Sequence, residues 1–176
     1  MKYIFLIIIL VVSSCDTSKG TESISIGTKE TEFIEIKDFS DNLKAKNIIL
    51  AIGDGVGPNQ ITLSRIAIGG LDYRLFIDQM PYHGTSLTHS YNNLYTDSAA
   101  AATTWSTGYK TKTRYLSLDP DKKILETITE ILYKKGYTSG IVATSSVIHA
   151  TPAAFYAHID NRYEYKNIAK QLINSS

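Results

Sequence analysis

Apolar positions along the chain fall into short blocks divided by glycine, proline and acidic or amide-rich turns. The block at residues 48–52 is continuous rather than alternating and rich in β-branched side chains. That pattern predicts a buried strand of a parallel sheet, with Asp54 just beyond its carboxyl end. Residues 124–135 carry apolar side chains at helical spacing, with Asp121 before them and Gly136 after, and predict a helix. Residues 138–144 then read as a strand, and residues 163–173 as an amphipathic helix with Ile168 and Leu172 on one face. Alternating strands and helices predict an α/β fold, a mostly parallel central sheet flanked by helices, with its chemistry gathered at the strand ends.

Three segments carry candidate chemistry. In Tyr95-Thr96-Asp97-Ser98-Ala99 an acid and a hydroxyl open an alanine-rich run that predicts a helix start. Unpaired helical N–H groups and the macrodipole favour an anion there. Ser98 is then either a helix cap or a nucleophile placed beside a bound phosphoryl group. In Gly53-Asp54-Gly55-Val56-Gly57 the glycines allow three readings. A dinucleotide loop is disfavoured, because the third glycine is misplaced and the Asp54 carboxylate would repel a pyrophosphate. The other two are a carboxylate held for a divalent cation and an Asx-turn acid. In His149-Ala150-Thr151-Pro152, Thr151 suits a helix cap and Pro152 the first helical position. An unbroken helix from there to Arg162 would part the two side chains by about 16 Å, at about 1.5 Å per residue. The helix is therefore expected to stop near His158, with Asp160-Asn161 turning the chain back.

The segment Asn47 to Pro58, the run Thr96-Asp97-Ser98-Ala99, and His149-Ala150-Thr151-Pro152-Ala153-Ala154 followed by Arg162 resemble successive signatures of the alkaline phosphatases, in order and in spacing. The resemblance runs from about Lys46 to Arg162. It implies hydrolysis of phosphate monoesters through a phosphoserine at Ser98, with zinc and magnesium as cofactors. It further implies Asp54 as a metal-bridging carboxylate and Thr151 as a magnesium ligand. Arg162 becomes the guanidinium that grips two phosphate oxygens, and Asp97 the residue that holds it. His149 stands where family members carry aspartate or histidine, which implies a supporting place near the magnesium site. The family's zinc ligands lie mainly in a long region after the arginine, and His83, His89 and His158 do not match them. The expectation is a partial alkaline-phosphatase-like fold, truncated after the phosphate-binding arginine and inactive alone, with poor solubility from an exposed sheet edge. The full-length family is compatible with a homodimer.

Lys2 precedes an apolar stretch over residues 3–12 that is too short to span a bilayer and reads as a signal peptide. Val12-Ser13-Ser14-Cys15 resembles a bacterial lipobox. It implies a leader over 1–14, lipidation of Cys15, a flexible spacer within 15–42 and the phosphatase portion over 43–176. The product is expected to be extracytoplasmic and tethered to the membrane, meeting small phosphate monoesters there. Cys15 is the only cysteine, so no intramolecular disulfide forms. A net charge of +1 gives no support for nucleic-acid binding. Two other classes compete with the phosphatase: a membrane-anchored phosphate-binding module without turnover, and a sulfatase or phosphodiesterase. The serine within Thr96-Asp97-Ser98-Ala99 and Arg162 downstream disfavour the latter.

Overall fold

The structure, a computed structural model, describes residues 29–35 and 45–175. The leader and Cys15 lie outside the described residues. By its internal contacts the chain forms two compact units, Met1–Glu35 with Asn59–Gln79, and Ile36–Pro58 with Met80–Ser176.

Helix α1 (Pro58–Gly69), which belongs to the first unit from Asn59 onward, opens on a proline, whose missing N–H costs nothing in a first turn. Gly69 closes it against Tyr73, and a Cβ at Gly69 would lie 2.3 Å from the Tyr73 ring. A short 3-10 helix, Phe76–Gln79, follows. Its Asp78 receives both Arg65 Nη2 (2.8 Å) and Nε (3.2 Å), and also the Leu75 backbone N–H at 2.9 Å. Residues 29–35, assigned above to the spacer, are tied to this turn. Thr31 Oγ1 accepts from the Arg74 N–H at 3.0 Å. The Gln79 amide accepts from Ile34 N–H (3.0 Å) and donates to the Glu32 carbonyl (3.1 Å).

The second unit is organised around α2 (Ser98–Thr107), α3 (Ile128–Lys134), α4 (Ala150–Ala153) and α5 (Tyr165–Asn174). Its core is mostly alanine. Ala99 and Ala102 of α2 meet Ala150, Ala153, Ala154 and Ala157, with Leu116, Tyr156 and Ile168 closing the cluster. Small side chains let the α2 and α4 backbones approach closely. Ile168, fully buried on α5, supplies the largest apolar anchor from that helix and is worth about 2–3 kcal/mol by area. Thr111 Oγ1 is buried with no partner among the described residues, whereas Ser117 and Thr103 are paired. Ser117 N–H donates to Thr103 Oγ1 at 2.9 Å, and its hydroxyl donates to the Ala154 carbonyl at 2.5 Å, which joins α2 to the end of α4.

Several elements differ from the sequence expectation. The parallel sheet is not present as paired strands among the described residues; two isolated antiparallel bridges are, Leu116 with Ile159 and Leu118 with Ile124. Residues 48–52 and 138–144 form no ladder, and Ile48, Ile49 and Val142 are largely exposed. A continuous apolar run signals burial on both faces but does not supply the neighbouring strands that a ladder requires. Helix α3 begins at Ile128 rather than near 124, because Ile124 is committed to its bridge. A reciprocal capping box between Thr127 and Glu130 fixes the start. Gly136, at φ +82°, ends it as expected, with Tyr137 N–H donating to the Leu132 carbonyl at 3.1 Å. Helix α5 begins two residues later than expected and keeps Ile168 on the buried side.

The helix at Thr151 is also shorter and earlier than expected. His149, not Thr151, occupies the cap position, and α4 ends at Ala153 with turns continuing to Tyr156. Pro152 tolerates the shift because the N–H groups of a first turn have no helical partner. The chain then folds back. Ile159 exchanges both backbone hydrogen bonds with Leu116 (2.8 and 3.0 Å), and Arg162 N–H donates to the Arg114 carbonyl at 2.9 Å.

Candidate active site

Two short loops and two helix starts of the second unit bring oxygens and a guanidinium together. Asp97 is the cap of α2, with extended backbone (φ −108°, ψ 171°) and Oδ1 accepting from the Ala100 N–H at 3.0 Å. Capping therefore falls to Asp97, and Ser98 becomes the first helical residue with its hydroxyl released from that duty. The Ser98 hydroxyl donates to Asp54 Oδ1 at 3.0 Å. Asp54 reaches it from a turn whose next residue, Gly55, sits at φ +69°, where a glycine avoids the strain of a side chain.

The other carboxylate oxygen has its own donor: Thr151 Oγ1 to Asp54 Oδ2, 2.7 Å. The two-residue shift of the α4 cap makes this contact available, since a capping Thr151 would turn its hydroxyl back onto its own helix. Asp54 is thus held between the first turns of α2 and α4, one hydroxyl on each oxygen. It is exposed, and solvent reaches this cluster.

Arg162 approaches from the other side of the α2 cap. Its Nη1 donates to Asp97 Oδ2 at 3.2 Å, with both side chains less than a quarter exposed. The same Asp97 oxygen accepts the Arg114 backbone N–H at 3.1 Å. One carboxylate therefore caps the helix with one oxygen and anchors the arginine with the other. Among the described residues only Nη1 of the Arg162 guanidinium has a hydrogen-bond acceptor, so its remaining N–H groups are available to a ligand. His149 stacks on Tyr165, ring centroids 6.1 Å apart at 29°, and its side chain makes no capping hydrogen bond.

Three neighbours were not singled out from sequence. Tyr163 packs edge-on to Tyr165 and lies under two cations, the Arg162 guanidinium at 5.7 Å and that of Arg114 at 5.8 Å from its centroid. Arg114 holds φ +73°, a conformation that costs a non-glycine residue roughly 1–2 kcal/mol. Nothing in the local run Thr113-Arg114-Tyr115 signals this; the one available hint was a tyrosine directly after Arg162.

The donor set fits one of the two expected metals. Asp54 and Thr151 offer hard oxygen ligands, which suit magnesium. Zinc sites are built from histidine, cysteine and carboxylate together. Among the described residues no group of three such side chains is close enough to hold an ion, so the residues present do not fit zinc. His83, His89 and His158 supply no such group. His158 instead bridges the Ser117 carbonyl (2.9 Å from Nδ1) and Glu130 Oε1 (3.0 Å from Nε2).

Known proteins share sequence and fold with this chain. The chain is 39% identical over 137 residues to the alkaline phosphatase of Escherichia coli K12, covering 74% of this chain and 29% of that protein. It is 38% identical over 124 residues to the streptomycin-6-phosphate phosphatase of Streptomyces griseus, covering 67% and 28%. The chain thus spans under a third of the length of these relatives. Among solved structures, a cold-active alkaline phosphatase from Shewanella sp. superposes with a TM-score of 0.66 at 32% identity, covering 70% of this chain and 32% of that one. A magnesium-bound variant of the TAB5 alkaline phosphatase gives a TM-score of 0.50 at 39% identity over 51% of this chain and 26% of that one. The profile of the alkaline phosphatases matches residues 45–175, most of the sequence. With that match laid over the Ser98, Asp54, Thr151 and Arg162 arrangement, the chain belongs to the alkaline phosphatase family.

Proposed function

We propose that this chain carries the nucleophile and the phosphate grip of a phosphate monoester hydrolase. The observation that carries the reading is the Asp54 carboxylate held between the Ser98 and Thr151 hydroxyls at 3.0 and 2.7 Å, beside an Arg162 anchored through the α2 cap. In the proposed reaction the phosphate of the ester lies over the first turn of α2, where free N–H groups and the helix dipole favour its charge. Arg162 takes two of its oxygens with the guanidinium edge left open by Asp97, which fixes the phosphorus for in-line approach. The Ser98 hydroxyl gives up its proton to the solvent that reaches the site, and its oxygen forms the new bond to phosphorus as the bond to the ester oxygen breaks. The alcohol leaves with that oxygen and takes up a proton from solvent. Water then cleaves the phosphoserine, which returns the Ser98 hydroxyl and releases inorganic phosphate. Asp54 orients the nucleophile by accepting its hydrogen bond. Asp54 and Thr151 would hold magnesium, and a bound divalent cation supplies stabilisation of negative charge developing on oxygen. Attachment to a membrane through a lipidated Cys15 belongs to the same proposal; mass spectrometry of the chain purified from a bacterial membrane fraction, with and without Cys15→Ala, tests it.

Titration with inorganic phosphate tests the site directly. Replacing Arg162 by alanine is expected to weaken binding tenfold or more, the loss of a charge-assisted pair of about 1.5–3 kcal/mol. The 176-residue chain given zinc and magnesium is expected not to turn over p-nitrophenyl phosphate, because the described residues do not assemble a zinc site. A metal-dependent rate abolished by Ser98→Ala would refute that inactivity while keeping the assignment. Phosphate binding indifferent to Arg162→Ala would refute the site.

A further inference from the structure

Arg114 sits where the local backbone does not ask for an arginine. Its turn is closed by Tyr115 N–H to the Lys112 carbonyl at 3.2 Å, and Arg114 occupies the third position of that turn at φ +73°. Glycine or asparagine is the usual occupant of such a position. Three contacts fix where the side chain starts: the backbone N–H on Asp97 Oδ2, the carbonyl receiving Arg162 N–H, and the guanidinium over the Tyr163 ring. Each ties it to the phosphate grip. Arg114 and Arg162 lie against the same aromatic ring, at 5.8 and 5.7 Å, yet the carboxylate between them, Asp97, bonds only the Arg162 side chain. The second guanidinium is exposed, lies over the Tyr163 ring and is without a carboxylate partner among the described residues. Stacking on a ring face holds a guanidinium plane while leaving its N–H edges free for an anion.

We propose that Arg114 reads a second anionic group on the substrate, selecting phosphate esters whose leaving part carries a further phosphate. The inference rests on Arg162 as the phosphate grip. When the first phosphate occupies that grip, a second one a few bonds away meets the Arg114 guanidinium, which lies against the same Tyr163 ring. Substrates bearing one phosphate and a neutral alcohol make no use of it.

The test is calorimetric titration of the 176-residue chain at low salt with inorganic phosphate and with methylenediphosphonate, a diphosphate analogue that cannot be hydrolysed. Four proteins are compared: wild type, Arg114→Asn, Arg114→Lys and Arg162→Ala. Asparagine tolerates the positive φ, and far-UV circular dichroism checks that the variant keeps its fold. Arg162→Ala is expected to weaken both ligands. Arg114→Asn is expected to weaken methylenediphosphonate about tenfold more than phosphate, one charge-assisted contact, and Arg114→Lys to recover most of that difference. Equal changes for the two ligands in Arg114→Asn, or none, while Arg162→Ala weakens both, overturn the role of Arg114 alone. Binding of neither ligand by wild type, or binding unaffected by Arg162→Ala, overturns the phosphate grip and this inference with it.

Discussion

Replacing Asp97 with alanine removes three acceptor contacts at once: the cap on Ala100 N–H at 3.0 Å, the Arg162 Nη1 contact at 3.2 Å and the Arg114 N–H contact at 3.1 Å. Loss of a helix cap costs about 1 kcal/mol. The ion pair is screened less than a surface pair, since its side chains are only 21% and 24% exposed, and its loss adds about 1 kcal/mol. The two together amount to about 2 kcal/mol, or a fall in Tm of about 4–8 °C for a chain of this size. Asp97→Asn separates the two parts. Asparagine caps a helix as well as aspartate does, so this variant should keep the first contribution and lose the second, at about half the cost. The Arg162→Ala single variant and the Asp97→Ala/Arg162→Ala double variant complete a cycle with an expected coupling of about 1 kcal/mol. Denaturant unfolding followed by fluorescence of Trp105, the only tryptophan and a residue of α2 itself, reads the helix that Asp97 caps. If Asp97→Asn destabilises as much as Asp97→Ala, or the cycle shows no coupling, the shared role of this carboxylate is refuted.

Two further predictions concern acid and magnesium. Burial opposes ionisation of Glu130, but the Thr127 N–H, His158 and the Thr127 hydroxyl together outweigh it and hold its carboxyl below the ordinary 4.5. The unfolded chain therefore binds the proton more readily. The stability this group contributes is complete above about pH 4.5 and is lost as pH falls through the lower folded value. Glu130→Gln keeps a capping-box partner, so its stability should fall less steeply below pH 5 than that of wild type in acid unfolding; parallel curves would refute the assignment. Magnesium at ten times its dissociation constant should raise stability by about 1.4 kcal/mol through Asp54 and Thr151. Thermal unfolding with and without the ion should show that shift in wild type and lose it in Asp54→Asn, and a shift preserved in the variant would place the ion elsewhere.

The parts of the site that were legible in sequence are those governed by neighbours along the chain. An acid followed by serine and alanines announces a helix start because capping is a contact over three residues, and the structure adds only that Asp97 takes the cap. Glycines around Asp54 announce a turn for the same reason. The need for a break before Arg162 followed from helix rise alone, although the break comes earlier than expected because Ile159 pairs with Leu116, a contact 43 residues back along the chain that no local pattern encodes. The misjudged elements share that cause. Residues 48–52 have the composition of a buried strand, but a strand is defined by what lies beside it. Ile124 has helical spacing yet is drawn into a bridge with Leu118. Arg114 escaped notice entirely, since its φ of +73° is imposed by its backbone hydrogen bonds with Asp97 and Arg162 and by the turn that Tyr115 closes on Lys112, rather than chosen by its own side chain. Local chemistry thus wrote Ser98 and its helix, and pairing at a distance decided which cations stand beside the Asp97 cap. The specificity of such a site is therefore expected to vary through residues like Arg114, which can change without disturbing the cap, the turn or the hydroxyl contacts that hold Asp54.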